Sequence, residues 1–163
     1  MGVAMFKPLI SVIIAGAFIG FLVPTGHGSS PAPAPARTGP RPIPVETRVE
    51  RSPSGHFYVN ANVNGQLVHF VVDTGATIVA LTTEDAERVG IKFDPSNFDV
   101  IGSGASGAVR GEQIRLQSVE LDGKEVENVR GVVIEGGEIS LLGQSYLSQL
   151  NSVQMSGETM ILR

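Results

Sequence analysis

The residues best suited to chemistry are Asp73-Thr74-Gly75, set between the apolar runs Phe70-Val71-Val72 and Ile78-Val79-Ala80-Leu81. β-Branched residues on both sides favour strands, and Gly75 permits a sharp turn between them. The pattern predicts an Asp carboxylate at the end of a strand, held in a cleft. The plain alternative is an Asp that caps its own backbone, since the triplet also suits loops. One Asp with no base beside it has little catalytic use. Two Asp side chains in contact cannot both ionise cheaply, so they share a proton, one serving as base and the other as acid. Such a pair activates a water and polarises a peptide carbonyl without a metal or a covalent nucleophile. The sequence holds this constellation once. A working pair therefore needs two chains, with Asp73 facing its symmetry mate.

The elements around the triplet must position it. Val45 to Glu50 reads as a strand and Arg51 to Gly55 as a turn. His56 to Val63 and Gln66 to Val72 flank Asn64-Gly65, a strong hairpin signal. Thr82 to Gly90 reads as a short helix, with Thr82 or Thr83 as cap, Glu84 and Asp85 in its first turn, and Gly90 as its stop. Ala86 and Val89 face the core. Phe98 to Glu112 reads as a hairpin whose centre, Gly102 to Ala108, is too rich in glycine to be a packed strand. Ile114 to Glu120 and Glu125 to Val133 are strands about the turn Asp122-Gly123-Lys124. Val119, Leu121, Val126 and Val129 belong to the core. Val132 to Ile134 reads as a further strand. Ser140-Leu141-Leu142-Gly143 is expected to pass close behind Asp73, with Gly143 allowing close backbone approach. A short helix over Ser145 to Leu150 follows, then final strands at Val153 to Met155 and Thr159 to Leu162. Many short strands with glycine turns predict an all-β domain, a small closed barrel with one or two short helices.

Asp73-Thr74-Gly75-Ala76, the hairpin Phe57 to Gly65, the segment Leu141-Leu142-Gly143 and the helix Gln144-Ser145-Tyr146-Leu147 together resemble the retropepsin-like aspartic proteases. The resemblance spans roughly Gly55 to Arg163. It is nearest in character to the bacterial branch of membrane-tethered, periplasmic single-domain proteases. It implies an acid-protease barrel, with Asp73, Thr74 and Gly75 as the catalytic triplet. It implies that Thr74 is buried and hydrogen-bonded, bracing two such turns against each other across a homodimer. Residues before the first strand, with the C-terminal strand, would build part of the interface. Ala76 stands where serine is commoner. The Phe98–Glu112 hairpin would be the flap that closes on substrate, so Ala76 and Ile101, Gly102, Ser103, Gly104 and Ala105 are the expected substrate contacts. The flap tip lacks the bulky side chains of many relatives. No metal and no cofactor is implied. The partner is a protein or peptide in extended conformation.

Composition excludes other chemistries. There is no cysteine, hence no thiolate catalyst, disulfide scaffold or cysteine zinc site. His27, His56 and His69 lack metal-ligand spacing. Residues 1–45 carry Lys7, Arg37 and Arg41 and no acid, and the whole chain is −4, so residues 46–163 carry −7. An acidic domain without a basic aromatic stripe disfavours nucleic acid.

The chain divides into residues 1–23, 24–44 and 45–163. Val3 to Val23 is about the length needed to cross a bilayer, although Lys7 and Pro8 interrupt it. It reads as an uncleaved transmembrane anchor, with a cleaved signal peptide as the alternative. Lys7 before the apolar stretch places the N-terminus in the cytoplasm. The domain would then lie in the periplasm of a Gram-negative cell, tethered to the inner membrane. Residues 24–44, rich in alternating Pro and Ala, form an extended spacer.

The function expected is an aspartic endopeptidase. One alternative is a catalytically silent peptide-binding or structural module on the same fold. Another is a sugar or lipid hydrolase with two carboxylates in one chain, for which Glu84, Asp85, Asp99 and Glu112 are the available acids.

Overall fold

A computed structural model describes residues 43–104 and 107–163 of the chain. The expected membrane segment and all but the last two residues of the spacer lie outside them. Among the described residues, no helix is long and apolar enough to cross a membrane.

Six strands close a barrel. β2 (Tyr58–Val63) and β3 (Gln66–Val72) form the hairpin expected about Asn64-Gly65, with Tyr58 opposite Val71 and Val63 opposite Gln66. Both turn residues have positive φ, 50° at Asn64 and 87° at Gly65, as a tight hairpin turn requires. β3 then pairs in parallel with β8 (Ser140–Leu142). β8 meets β4 (Val79–Thr82), β4 runs parallel to β7 (Lys124–Ile134), and β7 pairs with β6 (Gly107–Leu121). The ring closes where Asn62 and Val63 of β2 meet Glu120 and Val119 of β6. Val59, Ala61 and Val63 of β2 and Val68 and Phe70 of β3 point inside at period two, the pattern of strands with one face on a core, and Leu116, Val119 and Leu121 of β6 join them. Val129 is buried with them, and Val126 packs at the edge.

The helix expected near residue 82 is α1 (Thr83–Arg88), with the Thr82 hydroxyl accepting from the Asp85 N–H and Ala86 buried. The closing helix α2 (Gln144–Leu147) has the bounds implied by the resemblance, and starts earlier and ends sooner than the Ser145 to Leu150 reading. Val132 to Ile134 is not a separate strand but the end of β7. Beside the barrel, β1 (Thr47–Glu50), β10 (Thr159–Leu162) and β9 (Val153–Ser156) form a three-stranded antiparallel sheet in the order β1-β10-β9.

The glycine-rich centre of the hairpin expected to be the flap departs from expectation. β5 (Asp99–Gly104) and β6 pair as far as Gly104 opposite Gly107, so most of that stretch is strand. These residues project beyond the barrel and are not asked to fill a core, so the missing side chains cost little packing. The ladder slips between Val100 and Gly102, leaving Ile101 as the extra residue of a bulge. Ala105 lies outside the described residues.

The segment entering the domain is fixed to the barrel. The Val45 N–H donates to the Asp122 carbonyl at 3.0 Å. Lys124, buried at the start of β7, donates to the Val45 carbonyl and to Thr47 Oγ1, the latter at 2.8 Å. The Tyr146 hydroxyl donates to the Lys124 carbonyl at 2.8 Å. Burial holds the Lys124 ammonium below its ordinary pKa, against the opposing pull of Asp122 and Glu120. A depressed lysine pKa means that the unfolded chain binds more protons in the window between the folded value and about 10.4, so stability rises with pH there. The stability of the wild type relative to Lys124→Met is therefore expected to grow as pH rises toward about 10.4, measured by urea unfolding; a difference that stays constant up to that pH would contradict this.

Candidate active site

Asp73 follows β3, where its backbone is still part of the ladder. Its N–H donates to the Leu142 carbonyl at 3.1 Å, extending the parallel β3–β8 pairing by one bond. The chain then turns, with the Ala76 N–H donating to the Asp73 carbonyl at 3.3 Å. The Gly75 N–H donates to Asp73 Oδ1 at 2.9 Å. The self-capping geometry of an Asp in a loop is thus present, and it fixes the carboxylate instead of consuming it. Gly75 does not use a left-handed φ. Its lack of a side chain matters for space, because a Cβ there would lie 3.3 Å from Asp73 Oδ1.

The turn is clamped from behind by α2. The Gln144 N–H donates to the Ala76 carbonyl and Gln144 Nε2 donates to the Thr74 carbonyl, both at 2.8 Å. Ser145 Oγ accepts from the Val79 N–H at 3.0 Å and donates to the Arg130 carbonyl at 2.7 Å. Ser140 Oγ accepts from the Thr82 N–H at 3.1 Å and donates to the Asp85 carboxylate. Gly143 permits the close approach expected of it, since an added Cβ would come within 2.3 Å of the Ile78 carbonyl and 2.8 Å of that of Ala76.

Asp73 is half-buried at one end of a cleft floored by Ile78, Ala80, Val132, Ile134 and Leu141. Ile101, Ser103 and Val109 of the β5–β6 hairpin wall the cleft, and Gly75, Ala76 and Thr77 complete it. Ala80, Val132 and Ile134 are buried in a cluster separate from the barrel core, with Ile78, Ile101, Val109 and Leu141 packed on it. The bulge at Ile101 brings its side chain to this cluster. The cavity of about 80 Å³ is small against the roughly 300–1,000 Å³ of complete ligand sites.

The structure brings Asp73, Gly75, Ala76, Ile101 and Ser103 together on this lining. Gly102 and Gly104 pair with Val109 and Gly107 in the hairpin. Thr74 departs from the expectation of a buried residue: it is exposed, because none of the described residues covers the turn there. Among the described residues, Asp73 is the one carboxylate on the cleft. The other acids weighed for a single-chain pair serve elsewhere. Asp85 is bound to Ser140 and Arg88, Glu112 accepts from the Asp94 N–H at 2.7 Å, and Glu84 and Asp99 are exposed. Sequence alone gives Gln144, Ser140 and Ser145 no positioning role. The available signal was three polar side chains bracketing an apolar Leu-Leu-Gly, where a purely structural strand and helix would not require them.

The model of the gag-polyprotein putative aspartyl protease family matches residues 59–149. The chain belongs to the retropepsin-like aspartic protease family. A crystal structure of a retropepsin-like aspartic protease from Rickettsia conorii is similar at a TM-score of 0.62 and 38% identity, over 72% of this chain and 90% of that one. An uncharacterized protein of Rickettsia prowazekii (strain Madrid E) is 38% identical over 118 residues, and an uncharacterized Sinorhizobium protein from the cobV 5' region is 35% identical over 120 residues. Each alignment covers 72% of this chain, and the chain spans about half the length of these two relatives, 51% and 52%.

The close passage at Gly143 yields a direct test of how the turn is held. Gly143→Ala pushes a methyl group into two backbone carbonyls that have no room to retreat. It is expected to lower the unfolding free energy by about 1–3 kcal/mol, read by chemical denaturation. Unchanged stability would show that the turn is not pinned there.

Proposed function

We propose that this chain is an aspartic endopeptidase, hydrolysing peptide bonds with a water activated between the Asp73 carboxylates of a homodimer. The observation that carries this reading is the lone Asp73 carboxylate, fixed on an apolar cleft beside an exposed turn. One chain offers half of the chemistry, and a two-fold axis beside the turn would supply the other half. The ionised Asp73 takes a proton from the water as its oxygen attacks the carbonyl carbon. The protonated partner gives its proton to the carbonyl oxygen, and the resulting diol collapses with a proton passing to the leaving amine. Thr74, exposed in one chain, would meet its counterpart across the axis. Gln144 would keep the turn in register by holding the Thr74 and Ala76 carbonyls.

β5 stands at the end of its sheet, with one edge unpaired among the described residues. An extended peptide can add to that edge and set alternate side chains on the apolar floor. The N-terminal sequence supports a further part of the reading, in which residues 1–23 anchor the protein in the inner membrane and residues 24–44 hold the domain in the periplasm. This would make the chain one of the membrane-tethered bacterial members of its family.

Asp73→Asn keeps the size and the Gly75 hydrogen bond but cannot act as a base. It is expected to lower cleavage of a broad peptide library by about 100- to 10,000-fold, with the circular dichroism spectrum and melting temperature unchanged. Equal cleavage by wild type and variant would overturn the assignment.

A further inference from the structure

A second concavity lies between β7 and α2, with a volume of about 410 Å³. That volume falls in the range of ordinary ligand sites. Its lining includes Arg115, Arg130, Thr77 and Gln149, with Glu127 the one carboxylate among the described lining residues. The side chains there carry two positive charges and one negative, in a domain whose residues 46–163 carry −7.

Arg115 and Arg130 are direct cross-strand partners in the β6–β7 ladder. Like charges placed opposite each other on a sheet face are destabilising. Five of the seven arginines in the described residues, Arg48, Arg51, Arg88, Arg110 and Arg163, lie within 4.0 Å of a carboxylate. Arg115 and Arg130 face each other instead. The local backbone also holds one of them in place. Asn128 adopts a φ of 56°, and its carbonyl accepts from Arg115 Nη1 at 2.9 Å. That contact uses one of five guanidinium donors.

We propose that this hollow binds a small oxyanion, a carboxylate or phosphate group, gripped between Arg115 and Arg130. Guanidinium forks match the paired oxygens of both groups, and an anion between the two arginines turns their repulsion into attraction. Thr77 and Gln149 supply hydroxyl and amide donors at the margin. The site does not depend on the peptidase reading. It does adjoin the same turn, because the Arg130 carbonyl accepts from Ser145, whose oxygen also holds Val79.

The test titrates the full-length chain with inorganic phosphate and, separately, with succinate, at constant ionic strength, using calorimetry and thermal melting. The wild type is expected to bind at least one of them saturably and to melt at a higher temperature in its presence. The Arg115→Gln/Arg130→Gln double variant is expected to bind at least tenfold more weakly. Arg163→Gln, whose arginine is paired with Glu46, is expected to bind as the wild type does. Tighter binding of phosphate would identify a phosphate site, and tighter binding of succinate a carboxylate site. Absence of saturable binding by both anions, or binding that survives the double replacement, would overturn the proposal.

Discussion

A single close backbone passage fixes the geometry of the candidate site. β8 runs parallel to β3, and at its end Gly143 slides against the Ile78 and Ala76 carbonyls where no side chain fits. This places the Leu142 carbonyl on the Asp73 N–H and the Gln144 amides on the Thr74 and Ala76 carbonyls. A turn that would otherwise be an exposed loop becomes an extension of the barrel wall. Its carboxylate is oriented by the Gly75 N–H and backed by a buried apolar cluster. Preorganisation of this kind is useful to catalysis because the geometry is set before substrate arrives.

The same scaffold leaves the site half-built. Everything on the inner side of the turn is bonded or packed, whereas Thr74 and Gly75 face outward. The cleft is small, and its described lining residues include one carboxylate. An apolar floor, an edge strand above it and a single acid at one end form a coherent half. In the proposed homodimer, a symmetric partner would supply the other half with the same chemistry.

Much of this was legible in the sequence, for identifiable reasons. Alternating apolar residues around Asn64-Gly65 reveal a hairpin without reference to anything distant, and the helix at Thr83 declares itself by its cap. The closed barrel follows from many short strands. The Asp73 and Gly143 assignments rest on short motifs whose side-chain requirements are local. The β5–β6 hairpin was harder to read, because glycine propensity argues against strand while hairpin pairing beyond the core needs no packed side chains. Thr74 was expected to be buried because that expectation belongs to a dimer, and one chain leaves it exposed. The long-range partners of the turn, Gln144, Ser145 and Ser140, could not be read locally, since each earns its role from residues about 60 to 70 positions away. Residues 1–42 and 105–106, which include the expected anchor and Ala105, lie outside the described structure.

The central claim is that two chains share one site. Its most direct measurement follows specific peptidase activity and molecular mass together over a wide range of protein concentration, with and without excess Asp73→Asn chain. Specific activity should rise in step with the dimer fraction. Excess variant should suppress wild-type activity by drawing it into mixed dimers that hold one Asp73. A monomer whose specific activity is independent of concentration and unaffected by the variant would contradict the account.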